Sequence, residues 1–135
     1  KARGTERTMD VLEDLGLEPS QVIIDHSTEE TTKMILDRGY WAGHTVYPHT
    51  KLTAERFANI FMEFGTERMM INSSGDWGES DPLNVIKTAA LLEQRGASRA
   101  DIQKLVWQNI IDFYGNERLK LPEGLMTEGA TPVGA

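Results

Sequence analysis

The chain has 135 residues, the size of one domain, and its 39% apolar and 26% charged residues are an ordinary globular balance rather than a disordered one. Lys and Arg number 14 against 21 Asp and Glu, a net charge of −7, which argues against sequence-independent nucleic-acid binding and against attraction to anionic lipid, both of which need basic surface. There is no cysteine, which excludes disulfides, thiolate metal sites and cysteine nucleophiles and fits a reducing compartment such as the cytoplasm. The longest apolar runs, such as Val22-Ile23-Ile24, fall far short of the ~20 residues of a membrane span. No secretory signal is visible, although the chain opens at Lys1 rather than at an initiator Met.

In chain order, Thr5 is placed to cap a first helix through Leu15, with Met9, Leu12 and Leu15 on one stripe and Gly16 past its end. Val22-Ile23-Ile24 reads as a short strand buried on both faces. Ser27-Thr28-Glu29-Glu30 has the form of a capping box for a helix that runs to Arg38 and stops at Gly39. Tyr40 to Val46, rich in aromatic and branched residues, is the second strand, and Tyr47-Pro48-His49-Thr50 a loop. Thr53 caps a third helix to Phe64, whose Phe57, Ile60, Phe61 and Phe64 form an apolar stripe.

Arg68 to Asn72 is the third strand, followed by a polar loop to Ser80. Asp81-Pro82 predicts the start of a fourth helix to Arg95, and Ser98 with Asp101 the start of a last one to about Tyr114. The expected organisation is an α/β domain over 1–115 and a Gly- and Pro-containing tail over 116–135. Alternating β and α elements imply parallel strands with right-handed crossovers.

A parallel α/β sheet places its site at the carboxyl ends of its strands. Asp25-His26-Ser27 ends the first predicted strand, His44-Thr45 lies at the end of the second with His49 close behind, and Asn72-Ser73-Ser74 ends the third before Asp76-Trp77. Imidazole and carboxylate on one rim are the donors a Zn²⁺-type site uses, with an open position for water. His26 and Asp76 suit those roles. A hydrogen-bonded histidine at a strand end and an Asx turn beside Gly75 are the plain structural alternatives, and both stay open. His44 and His49 are more simply strand and loop residues; Asp81 is explained as a cap. Ser73-Ser74-Gly75 lacks a nucleophile elbow, and no phosphate-binding glycine pattern occurs. Trp41, Trp77 and Tyr47 are candidates to line a pocket, while the Met and Phe stripes are core.

Val22-Ile23-Ile24-Asp25-His26-Ser27, then Leu36-Asp37-Arg38-Gly39-Tyr40-Trp41-Ala42-Gly43, resembles strand six, its helix and strand seven of the TatD-like metal-dependent hydrolases, TIM barrels of the amidohydrolase superfamily. Glu67 to Asp76 looks like their strand eight, which ends in an aspartate, and Asn109 with Phe113-Tyr114-Gly115 resembles the family's closing Asn…Phe-Gly. The resemblance covers residues 4 to 116. It implies one or two divalent metals (Zn, Mn or Mg), with His26 as a ligand and Asp76 as both ligand and proton acceptor for the hydrolytic water. By the same resemblance His44, His49 and Trp77 are candidate substrate contacts, and the substrate is a small molecule or a phosphodiester.

Two departures mark a divergent branch: Ser74-Gly75-Asp76-Trp77 stands where the family has Glu-Thr-Asp before a Pro-containing loop, and the Tyr40 to Leu52 segment is unusually rich in His and aromatics. Nuclease activity is therefore not implied. A (β/α)₈ barrel takes about 250 residues, so the chain reads as the C-terminal portion of one: a fragment, a proteolytic product or a half whose partner is another chain. It is expected to be inactive alone and to expose an inner face bearing Val22, Ile24 and Met70, which would pair with the missing barrel segment or a second copy. A non-catalytic α/β scaffold is the alternative from another class. A small open domain of the flavodoxin or receiver kind is weakened by the leading helix.

Overall fold

A computed structural model describes residues 1–47, 52–75 and 80–115. Its elements are α1 (Ala2–Asp14), a 3₁₀ turn (Pro19–Gln21), β1 (Ile23–Ile24), α2 (Thr32–Asp37), β2 (Trp41–Val46), α3 (Ala54–Phe64), β3 (Met69–Ser73), α4 (Asn84–Gln94), α5 (Arg99–Gln103), a π-helical turn (Lys104–Gln108) and α6 (Asn109–Tyr114). The expected alternation is therefore present, and the last helix is a composite. Residues 48–51, 76–79 and the tail expected from 116 onward lie outside the described residues.

Two of the predicted helix starts form as read. The Thr53 hydroxyl accepts from Arg56 N at 3.3 Å, and the Ser98 hydroxyl from Asp101 N at 3.0 Å. Three others form differently. α1 begins at Ala2 with Lys1 at its cap position and no side-chain cap bond, so Thr5 sits inside the helix. The Ser27 capping box is absent: the Ser27 hydroxyl turns back to donate to Ile24 O at 2.8 Å, and Thr31 and Thr32 instead tie the Thr28 turn through their own hydroxyls. The chain spends residues 25–31 on a reversal, so α2 starts only at Thr32. Asp81 holds a turn rather than a helix cap, its Oδ1 accepting from Leu83 N at 2.9 Å, and α4 starts at Asn84.

The three strands are parallel in the order β1-β2-β3. Ile23 faces Trp41 and Ile24 faces Ala42 across one ladder; Gly43 faces Met70 and Thr45 faces Asn72 across the other. Strand alternation divides the sheet into two faces. Ala42, His44, Val46, Met69 and Ile71 face the helices and join Ile35, Tyr40, Phe57, Ala58, Ile60, Leu92 and Leu105 in one core, with Val22 and Ile24 packed against it. The opposite face carries Ile23, Asp25, Gly43, Met70 and Asn72 around a pocket of about 280 Å³, with Ile110 and Tyr114 of α6 on its rim. Val22 and Ile24 thus belong to the helix side, against the sequence expectation, and Met70, though on the pocket side, is 6% exposed rather than bared to solvent.

α1 is held by buried Met9, by the Tyr40 hydroxyl donating to Met9 O at 3.2 Å, and by Arg38, which pairs with Asp10 and Glu13. The Glu13 carboxyl is held below its usual range by its hydrogen bond with Arg38. No described helix is long and apolar enough to cross a membrane.

The composite last helix is pinned by one buried side chain. Asn109 Nδ2 donates to Thr66 O and to Met69 O, both at 2.7 Å, and the residue is 1% exposed. It closes two carbonyls at the entry to β3 that no water can reach. Asn109→Ala is expected to lower unfolding free energy by about 1–3 kcal/mol, because it removes the Asn109 donor from Met69 O in the interior and leaves Thr66 O with only its 3.3 Å bond from Met69 N. Urea unfolding of the variant beside the parent checks this; Asn109→Asp, which keeps the shape but loses the donors, should cost at least as much.

Candidate active site at the carboxyl end of the sheet

β1 ends in a break of its ladder with β2. An unbroken parallel ladder would have the residue two after Ile24 donate to Gly43 O. Here Ser27 N makes that bond, at 2.8 Å, so one extra residue is accommodated between them. His26 takes the strain, with φ of 56°, in the left-handed region that non-glycine residues rarely occupy. The result turns Asp25 onto the open face of the sheet and His26 to the rim, where their side chains are 47% and 52% exposed. His26 Nε2 and Asp25 Oδ2 lie 4.0 Å apart. Lys1 Nζ donates to the His26 carbonyl at 2.6 Å.

The Asp25 carboxylate lies over β2 and reaches β3. Its Oδ1 accepts from Thr45 Oγ1 at 3.4 Å and from Asn72 Nδ2 at 3.5 Å. Gly43 makes room for it: a Cβ there would stand 2.7 Å from Asp25 Oδ1, 3.0 Å from Ile23 Cγ2 and 3.2 Å from Asp25 Cα. Thr45 and Asn72 are register partners on adjacent strands, so both present polar groups at one level above the apolar floor of Ile23 and Met70. Polar residues on the open face thus gather at the carboxyl end of the sheet and apolar ones below them.

His26 is at the rim, as the sequence predicts for a metal ligand. Asp76, His49 and Trp77 lie outside the described residues. His44 is on the other face, 0% exposed, and takes no part in the pocket lining. Its Nδ1 faces Met70 O at 3.2 Å and its Nε2 the Thr32 hydroxyl at 3.0 Å, with the Phe57 ring edge-on at 5.1 Å between centroids. A carbonyl only accepts, so Nδ1 carries the proton, and the single Thr32 hydroxyl proton serves either Nε2 or Thr28 O, 2.9 Å away. Trp41 sits against Phe113, 5.5 Å between ring centroids.

Asp25, Thr45 and Asn72 were visible in the sequence as polar residues at strand ends. Their convergence was not, because it depends on the extra residue at His26 and on the missing side chain at Gly43. Among the described residues, no group of three His, Asp or Glu side chains converges as a complete metal cage.

No protein-family profile matches the chain. Over 104 residues, 77% of its length, it is 29% identical to an uncharacterized metal-dependent hydrolase of Methanocaldococcus jannaschii. The match takes in 41% of that protein, so the chain spans well under half the length of the relative.

Two expectations come from this geometry. Gly43→Ala should destabilise the fold by about 1–3 kcal/mol, the usual cost of forcing a methyl into a filled space, and should displace Asp25; thermal unfolding and the Asp25 amide shift report the two effects separately. The second concerns pH. Burial pushes the His44 imidazole down from 6.5 to about 4, against the Met70 and Ala42 carbonyls, which favour the charged form. Below pH 6.5 the unfolded chain takes up a proton that the folded chain refuses, so stability falls as pH drops toward 4, by roughly 3 kcal/mol in all. Glu13 and Glu29 have carboxyls lowered by their arginine partners and add their own loss only below about pH 4.5. Denaturant midpoints between pH 7 and 4.5 should therefore decline in the parent and stay flat in His44→Gln.

Proposed function

We propose that this chain is the C-terminal portion, about strands six to eight with their helices, of a (β/α)₈ barrel that works as a TatD-like metal-dependent hydrolase and is inactive alone. The observation that carries the reading is the placement of His26 and Asp25 at the carboxyl end of β1, with Asp25 on the sheet face away from the main helix layer, beside a pocket that α6 borders. In a barrel that face is the interior and that end the site. The stretch of likeness to a protein named as a metal-dependent hydrolase supports the same reading. So does the sequential order of the parallel strands.

The donor chemistry fits the first part of a divalent-metal site. His26 offers a solvent-reachable imidazole beside a carboxylate, the donors that Zn²⁺ and its neighbours take, whereas Mg²⁺ would favour the oxygen donors. In this reading His26 and Asp76 hold one or two divalent ions, and the remaining donors come from other strands of the barrel. Such an ion, when bound, lowers the pKa of a bound water toward neutrality. Asp76 would be the proton acceptor for such a water, the chemistry that hydrolysis of an ester, phosphodiester or amide-type bond needs. Asn72 lines the approach on the pocket side, Thr45 lies buried beneath the Asp25 carboxylate, and the apolar floor of Ile23 and Met70 keeps water away from the lower part of the pocket. His49 and Trp77 are the proposed substrate contacts.

In the longest native form of the protein, hydrolysis of a chromogenic phosphodiester or ester should vanish on chelation and return with Zn²⁺ or Mn²⁺. Asp76→Asn should lower kcat about 10²–10⁴-fold, the usual weight of a general base. Activity indifferent both to chelator and to this substitution would overturn the reading.

The pocket side of the sheet has a further consequence in this proposal: half-buried Ile23 and exposed Tyr114 await a wall supplied by the rest of the barrel or by a second copy. Light scattering across a range of concentrations should give masses above that of the 15.1 kDa chain. A monomer at every concentration, with cooperative unfolding and no dye-accessible apolar surface, would count against a partial barrel.

A further inference from the structure

We propose that Asp25 and His26 act as a pair, two donors to one divalent cation at the end of β1, with Thr45 and Asn72 as positioning residues for the carboxylate. The inference rests on the metal-dependent reading above and adds residues to which that reading gives no such role.

The separation of the pair argues for a shared ion rather than a direct bond. At 4.0 Å, His26 Nε2 and Asp25 Oδ2 are too far apart for a hydrogen bond. Two donors about 2.1 Å from one ion at a tetrahedral angle stand about 3.4 Å apart, so the 4.0 Å pair would have to close by about 0.6 Å onto a shared ion.

The two carboxylate oxygens have different surroundings. Oδ1 faces Thr45 and Asn72, both neutral donors that orient the group without cancelling its charge. Oδ2 faces the imidazole. The arrangement draws on three strands, and each supplies something the others cannot: β1 the strained turn at His26, β2 the bare Gly43 and the Thr45 hydroxyl, β3 the Asn72 amide. Strain of this kind at a non-glycine residue is retained where surrounding structure holds it for a purpose. The carboxylate is aimed by neighbouring side chains and about half open to solvent, so a cation can reach it.

The probe is Mn²⁺ alone, added to the full 135-residue chain, with paramagnetic broadening of backbone amide signals as readout, because it detects weak binding without turnover. Broadening should be strongest at residues 25–27 and 43–45. Asp25→Asn and His26→Gln should each weaken Mn²⁺ binding about tenfold or more, with folding verified by unchanged amide dispersion. Thr45→Val should weaken it to a smaller degree, and Thr45→Ser, which keeps the hydroxyl, should restore it; a purely structural threonine would not distinguish these two at equal stability. If Asp25→Asn binds as the parent does while His26→Gln does not, the pairing is wrong and the metal-dependent reading survives. If broadening centres elsewhere and residues 25–27 are untouched, both are wrong.

Discussion

A missing methyl group on β2 governs how closely β1 can approach. Gly43 leaves its side-chain position to Ile23 and to Asp25, whose Cα would stand 3.2 Å from a Cβ placed there. Any larger residue would push the end of β1 away from the sheet, and with it the ladder bond from Ser27 N to Gly43 O. That bond fixes where the extra residue falls, the extra residue puts His26 in the left-handed region, and His26 in turn sets the directions of both side chains at the rim. β2 is also the strand that both neighbours pair with, so this constraint sits at the centre of the sheet rather than at an edge.

The two faces of the sheet answer to different physics. On the helix side, burial dominates: His44 is kept neutral, and its hydrogen bonds to Met70 O and Thr32 tie β2 to β3 and α2 within an otherwise apolar layer. On the open side, Asp25 and His26 remain about half exposed, so water reaches both side chains. The same residue type thus serves as a packed, uncharged core group at 44 and as a rim group at 26. The difference comes from strand parity and the turn, not from anything in the imidazole.

Much of the architecture was legible because it is written in local chemistry. Hydroxyl caps at Thr53 and Ser98 and the glycines after α2 and α3, at φ of 87° and 75°, are signals that act over three or four residues. The failures were where a local signal competed with a longer-range one. Ser27 had the sequence of a capping box, but the ladder to Gly43 and the Thr28 turn claimed that stretch of backbone. Val22-Ile23-Ile24 is apolar at every position, so no alternation in it distinguishes the helix side from the open side, and the parity came out reversed. The site was half legible for the same reason: residue types at strand ends could be read, but the lateral approach of Asp25 to Thr45 and Asn72 depends on register between strands.

The π-helical turn at Lys104–Gln108 bears on how this helix tolerates changes in length. A π turn holds one more residue per hydrogen-bonded loop than an α turn. It lies between α5 and α6, with Leu105 buried on one side of the phase change and Asn109 on the other. A one-residue deletion inside 104–108 would let this stretch relax to ordinary α geometry while the flanking turns kept their facing. The same deletion within α4 would rotate Leu92 and all that follows by about 100°. The last helix therefore holds a spare residue, and homologous chains one residue shorter there would still bring an asparagine to the entry of β3.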